Sequence, residues 1–296
     1  MSKSDRGMTR RDFIRLAAYA AMGTAVGAEA LAGEGPALRK RSRVVLVRDE
    51  NAVTAGGEIN ADVIRQMMDR GVSELVGAHD PVDCWRQLVG TPKLVGIKTN
   101  AWGNLPTPAA VEQVIEQRLR DAGIAKGRIP KTDREARRKL ADCDALINAR
   151  PLRSHHWAGI GGCIKNYIMF APRPGVYHPD ACADLASVWS LPEAKGKTRL
   201  NILVALTPLF YGRGPHHWDP RYVWPYKGIF FSRDPVAVDA LGAYLLAAKR
   251  RLELGEDKPL TPATHIRMAE VRHHLGVADL KRIDLVKVGW EKDALI

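Results

Sequence analysis

Cysteine is scarce in this chain of 296 residues, and its placement excludes more than its number does. Cys84, Cys143, Cys163 and Cys182 form no CxxC pair, no ferredoxin run and no c-type haem attachment sequence, so their spacing does not support an iron–sulfur cluster. Also missing are the HExxH pattern, the Walker loop GxxxxGK(S/T) and the dinucleotide fingerprint GxGxxG. The familiar zinc-protease, P-loop and Rossmann readings go with them. Acidic residues are in deficit, 33 Asp and Glu against 45 Lys and Arg, a formal charge of +12. A field of that sign favours an anionic small molecule or an acidic partner protein of the cell envelope. It does not indicate nucleic acid: there is no zinc finger, helix-turn-helix or aromatic-interleaved basic motif, and the densest basic stretch, Arg118 to Lys139, is broken by Asp121, Asp133 and Glu135.

A long apolar run is lacking as well. The weakly apolar stretch from Leu16 to Ala32 is 17 residues, rich in Ala and Gly and interrupted by Glu29, too short and mild for a membrane anchor. Ahead of it stands Thr9-Arg10-Arg11-Asp12-Phe13-Ile14, and within it Ala28-Glu29-Ala30 and Ala30-Leu31-Ala32 offer small-residue cleavage sites. These parts together make a twin-arginine export signal over residues 1–32. The expected partner is then the twin-arginine (Tat) export machinery of a bacterium or archaeon, and the expected location is periplasmic or otherwise exported. The signal holds five Lys and Arg against three acids, so cleavage takes the charge from +12 to +10. An even number of cysteines outside the cytoplasm allows disulfides, with Cys163 and Cys182 closing the shortest loop; buried free thiols are the alternative.

Residues 33–296 alternate between two periodicities. Arg43–Val47, Lys93–Lys98, Asp144–Asn148, Arg199–Ala205, Lys227–Phe231 and Ile283–Val288 are compact runs of strand formers. Between them lie helical patterns: Asn60–Arg70; Asp80–Leu88, with Asp80 as cap and Pro81 in its first turn; Thr107–Leu119, stopping at Gly123; Asp234 to near Gly255; and one opened by Thr261-Pro262. The alternation predicts a single α/β domain with a mostly parallel sheet covered by helices, its ligand at the carboxyl ends of the strands.

Three loops after predicted strands are rich in coordinating and proton-transferring side chains: Lys98–Asn104, Arg153–Asn166 and Tyr211–Asp219. In the second, Ser154, His155 and His156 precede Gly159, Gly161 and Gly162, which would let backbone N–H groups approach an anion before Lys165 and Asn166 add side-chain donors. Adjacent histidines alternate faces on a strand, so one of His155 and His156 belongs to the site and the other to packing. His178 and Cys182, four residues apart, would share a face if helical and could join His155 as metal ligands of zinc or iron type, which leaves a metal open. His216-His217 could belong to the site or to an aromatic lid. His273-His274, before Gly276, suit a helix end. Asp239, inside the apolar run Val236 to Gly242, needs a partner, which Lys98, Lys165 or a metal would supply.

Gly96-Ile97-Lys98-Thr99-Asn100, Ala145–Asn148 through Ser154–Gly159 to Lys165-Asn166, and Asp234–Asp239 together resemble the landmarks of the family catalogued as domain of unknown function 362, over residue 43 to about 275. The resemblance implies no assigned reaction. Its matching positions are Lys98, Asn100, His155, Gly159, Lys165, Asn166 and Asp239. Family members often carry an iron–sulfur ferredoxin module, which this chain lacks, and Ile129 to Asp142 is shorter than the resemblance implies near one sheet edge. The expectation is an exported enzyme or redox-associated protein binding an anionic small molecule, a metal or both, with Lys98, His155, Lys165 and Asp239 as the chemical groups and Asn100, His156, Gly159, Gly161, Gly162 and Asn166 around the ligand. A non-catalytic ligand-binding or assembly protein of the cell envelope is the alternative.

Overall fold

A computed structural model describes residues 41–214 and 218–296. The twin-arginine stretch, its cleavage sites and the pair His216-His217 lie outside the described residues. Within them one sheet holds eight strands: β1 (Ser42–Arg48), β2 (Val95–Lys98), β3 (Lys131–Thr132), β4 (Ala145–His155), β5 (Gly159–Gly161), β6 (Thr198–Leu209), β7 (Gly228–Ser232) and β8 (Ile283–Gly289). Their order is β3-β2-β4-β6-β7-β1-β8, with β5 paired to β4. The pairs β2·β3, β2·β4, β4·β6 and β1·β8 are parallel, while β7 runs antiparallel to both β6 and β1. The expected mostly parallel α/β sheet is what the chain forms.

Helices cover both faces, and strand alternation decides which face each side chain joins. On one face Val45, Val47, Ile147, Ile202 and Phe231 pack with α1 (Ala61–Val76), α2 (Pro81–Val89) and α3 (Ala109–Asp121). On the other, Val44, Leu46, Leu146, Leu203 and Phe230 meet α4 (Pro235–Leu254) and α5 (Thr264–Val271). The helix ends follow their cap chemistry. Asp80 Oδ1 accepts from Asp83 N at 2.9 Å ahead of Pro81. Asp234 Oδ1 accepts from Val236 N at 2.8 Å and Ala237 N at 3.1 Å, and Gly255 closes α4 in the left-handed conformation. Among the described residues no helix is long and apolar enough to cross a membrane.

Three local expectations are corrected. Thr261 does not cap α5: its hydroxyl donates to the His156 carbonyl at 2.5 Å. The segment Pro179–Cys182 is no regular helix, because Asp180, Ala181 and Cys182 have φ of 51°, 50° and 61°, so the shared helical face expected for His178 and Cys182 does not exist. His273, expected to serve the helix end, places its Nε2 against Asp184 Oδ1 at 3.2 Å instead. The short stretch between Ile129 and Asp142 still reaches the sheet, contributing the two-residue edge strand β3.

Candidate functional site

The parallel strands β2, β3 and β4 deliver their carboxyl ends to one place, and the side chains there are polar and buried. Lys98 ends β2 with no exposed surface. Its Nζ donates to the Thr99 carbonyl at 2.7 Å, Asp133 Oδ1 at 2.9 Å and Asn166 Oδ1 at 3.2 Å. Asp133, just beyond β3, also accepts from Ala101 N at 3.0 Å. Asn166 Nδ2 donates to Asn148 Oδ1 at 2.8 Å, and Asn148 Nδ2 to Asn201 Oδ1 at 2.9 Å. A hydrogen-bonded chain thus crosses the strand ends from β3 to β6, each member fixing the next.

Beside this chain lies a cavity of about 240 Å³. Its basic wall is Arg150, Arg153 and Lys165, each 5 % exposed or less. Arg150 and Arg153 come from a part of β4 whose pairing with β6 is irregular, Pro151 opposing Val204 while Arg153 opposes Leu209. Bulges of this kind re-aim side chains that regular alternation would send to opposite faces. Arg150 Nη1 donates to Asn166 Oδ1 at 3.1 Å; Arg153 donates to the Leu105 carbonyl at 2.7 Å and to Asn100 Oδ1 at 2.8 Å. Among the described residues neither guanidinium pairs with a carboxylate, and the Nε of each is buried without a partner. Lys165 has one polar contact, Cys182 Sγ at 4.0 Å. Asp133 is the acid on the wall, and Lys98 already neutralises it. Trp102, Trp157, Ile168, Met169 and Pro174 give the rest of the cavity an apolar lining.

Burial and like charges displace the titrations here. Burial lowers Lys165 to about 8 against the opposing pull of Cys182, with Arg150 and Arg153 adding to the lowering. Burial lowers Lys98 to about 8 despite Asp133. His155 falls far below the ordinary imidazole range through burial, then through Lys165 and Arg150, so its ring stays neutral. Both arginines are lowered chiefly by burial.

His155, Lys165 and Asn100 line the cavity, as expected. Lys98 and Asn166 stand behind its wall, joined to it through Asp133 and Arg150. Asp239 takes a different partner from those expected. Its carboxylate accepts from Cys163 N at 2.6 Å and Ile164 N at 2.8 Å, and neither lysine meets it. The glycines are corrected with it. A Cβ on Gly162 would lie 2.3 Å from Asp239 Oδ1, and one on Gly159, at φ +73°, would lie 2.6 Å from Ala263 N. Gly161 is close to Arg150, 3.0 Å from Nη2 by the same measure. Gly159 and Gly162 are needed for close packing, Gly161 faces only the end of the Arg150 side chain, and none of the three lines the cavity. His156 also turns away: its ring stacks on His155 at 5.0 Å while Nδ1 meets the Arg213 carbonyl at 3.0 Å.

The metal expectation is not met by this geometry. Among the described residues no three His, Cys, Asp or Glu side chains cluster to hold an ion, so His155, His178 and Cys182 are not a ligand set. His178 lies instead against the Trp157 ring, 4.2 Å between centroids. All four cysteines are free and buried, including Cys163 and Cys182.

Arg150 and Asp133 were not among the expected site residues, and Arg153 was expected only as the first residue of the second loop. The two arginines lie past Asn148, where the expected strand ended, and are buried because β4 continues to His155. Asp133 carries no signal in sequence, since it lies in a polar stretch and gains its role only when β3 pairs with β2.

Fold and cavity define an α/β protein with a buried, cation-lined pocket at the carboxyl edge of a mostly parallel sheet. Residues 117–244 match the model of the family described as domain of unknown function (DUF362). The match is narrower than residue 43 to about 275, but it contains Asp133, Arg150, Arg153, His155, Lys165, Asn166 and Asp239. No curated protein and no solved structure matches the chain.

Proposed function

We propose that this chain binds a small organic anion in the cavity beside β4, its charged group held by Arg150, Arg153 and Lys165. One observation carries the reading: two guanidiniums and an amine line one cavity, and among the described residues none of the three pairs with a carboxylate. A buried cation is costly unless paired, so this arrangement is best satisfied by an anion from outside. The apolar wall calls for a ligand with an apolar body behind that group. The cavity size favours a small molecule over an acidic partner protein. A wider hollow of about 520 Å³ along α4 is a poorer candidate, because its Arg250 already pairs with Asp257 at 2.7 Å.

Neutral His155 and Lys165 in the same cavity give the site groups for proton transfer, which favours an enzyme over a passive carrier. The twin-arginine stretch supports work outside the cytoplasm. Calorimetry with phenylpropionate and with inorganic phosphate tests the binding. An affinity that falls tenfold or more in Arg153→Met supports the pocket, whereas binding that Arg153→Met and Lys165→Met leave unchanged refutes it. Cell fractionation tests the address: the chain should reach the periplasm, and Arg10→Lys with Arg11→Lys should retain it in the cytoplasm.

A further inference from the structure

Lys165 is placed as a nucleophile as well as a cation. Its amine lines the cavity, with 4 % of the residue exposed. Among the described residues no acid pairs with it, and its single polar contact is the thiol of Cys182 at 4.0 Å. That is the opposite of Lys98, which is equally buried but held by Asp133, Asn166 and the Thr99 carbonyl, and which does not line the cavity. An amine kept from water, beside other cations and without a counter-ion, is held partly in its free-base form, the form that attacks carbonyl carbon.

From this we infer that Lys165 forms an imine with the keto carbon of an α-keto acid carrying an apolar side chain, its carboxylate held by Arg150 and Arg153. The inference rests on the anion-binding reading of the cavity and names its substrate class. Each part of such a molecule has a counterpart on the wall: two arginines for the carboxylate, Lys165 for the keto group, and Trp157, Ile168 and Met169 for the apolar tail. In the step, the Lys165 nitrogen adds to the keto carbon and the carbonyl oxygen takes up a proton. The resulting carbinolamine then loses its hydroxyl as water while nitrogen gives up a proton, so amine and ketone become imine and water with no oxidant or reductant. Neutral His155 is in the cavity to donate a hydrogen bond to the oxygen, and the proton passes from nitrogen to oxygen without resting on the ring. The lowering of Lys165 to about 8 agrees with this geometry, since an amine at that value is partly unprotonated near neutral pH.

The test is reductive trapping on the intact chain. Protein is incubated with phenylpyruvate or pyruvate, treated with sodium cyanoborohydride, digested and mapped by mass spectrometry. The expected result is one reduced adduct per chain, on Lys165, faster with phenylpyruvate than with pyruvate. Lys165→Arg should lose the adduct. An absent adduct, one on Lys98, or one spread over surface lysines would overturn the inference. Phenylpropionate binding separates the two levels. If it binds in an Arg153-dependent way while trapping fails, the imine is refuted and the anion pocket stands. If trapping on Lys165 succeeds while phenylpropionate does not bind, the carboxylate role given to the arginines is refuted.

Discussion

Asp239 and Gly162 fit together so closely that no side chain can be added between them: a Cβ on Gly162 would stand 2.3 Å from Asp239 Oδ1. The carboxylate uses that proximity to accept from the amides of Cys163 and Ile164, which open the short helix carrying Lys165. Asp239 is therefore a positioning residue. Gly162→Ala should cost about 1–3 kcal/mol by overpacking. Asp239→Ala should cost more, because it orphans two buried N–H donors at about 1–3 kcal/mol each. Urea unfolding of both variants checks this, and an Asp239→Ala midpoint equal to that of the parent chain would contradict the capping role.

The same carboxyl gives the stability a pH dependence. Burial raises Asp239 to about 7, the amides of Ile164 and Cys163 opposing. The folded chain thus holds a proton that the unfolded chain has already released. The stability contributed is fully present below the ordinary carboxylate range and is lost as pH rises through about 7. Unfolding midpoints measured from about pH 5 to about pH 8 should fall with a component that Asp239→Asn removes.

Lys98 and Asp133, 2.9 Å apart and both buried, form an ion pair whose halves depend on each other. Lys98→Met leaves an uncompensated carboxylate and should cost about 3–5 kcal/mol, as breaking a buried pair does. Lys98→Met combined with Asp133→Asn should cost less than the two separate losses added together, the mark of direct coupling. Additive losses in a double-mutant cycle would show that the pair is not a unit.

How far the sequence exposed this site depended on where each residue got its meaning. The sheet and its long helices were legible because they are local: alternation assigns Val44 and Val45 to opposite faces, and Asp80, Asp234 and Gly255 mark helix ends by their own chemistry. His155, Lys165 and Asn100 were legible because polar groups after strands converge at the sheet edge. Asp133 was not, since its partner Lys98 is 35 positions away and nothing around it in sequence differs from a solvated face. Gly159, Gly161 and Gly162 were visible but ambiguous: a glycine run serves a ligand or a close packing contact equally well, and only the position of Asp239 and Ala263 decides. His178 and Cys182 failed for a backbone reason, the left-handed residues between Asp180 and Cys182 that break the helical spacing.

Anion binding in the cavity should weaken in alkaline solution. Lys165, lowered by burial to about 8, holds an anion only while protonated, and the bound anion in turn favours the protonated amine. Affinity for phenylpropionate should be highest below about pH 8 and fall as pH rises through it, in calorimetry at constant ionic strength. Lys165→Met should bind more weakly and lose that dependence. Arg153→Met should lose affinity across the whole range and keep a fall moved to higher pH, because a like charge that lowers Lys165 is gone. A fall that persists in Lys165→Met would assign it to another group.

The thiols give a test of the interior that does not depend on any ligand. Cys84, Cys143, Cys163 and Cys182 are all free and buried, so none presents a sulfur to solvent. Burial also raises the thiols of Cys143, to about 11, and of Cys163 and Cys182, which keeps them out of the reactive thiolate form. Folded protein should therefore react slowly with a water-soluble aromatic disulfide reagent, and denatured protein should release four equivalents without prior reduction. Two equivalents on denaturation, rising to four after reduction, would reveal a disulfide. Of the three raised thiols Cys182 should be the first to react in the native chain, because its sulfur lies 4.0 Å from Nζ of the cavity residue Lys165, whose charge opposes part of the rise. An α-keto acid or carboxylate filling the cavity should slow that one thiol while leaving Cys84 and Cys143 unchanged.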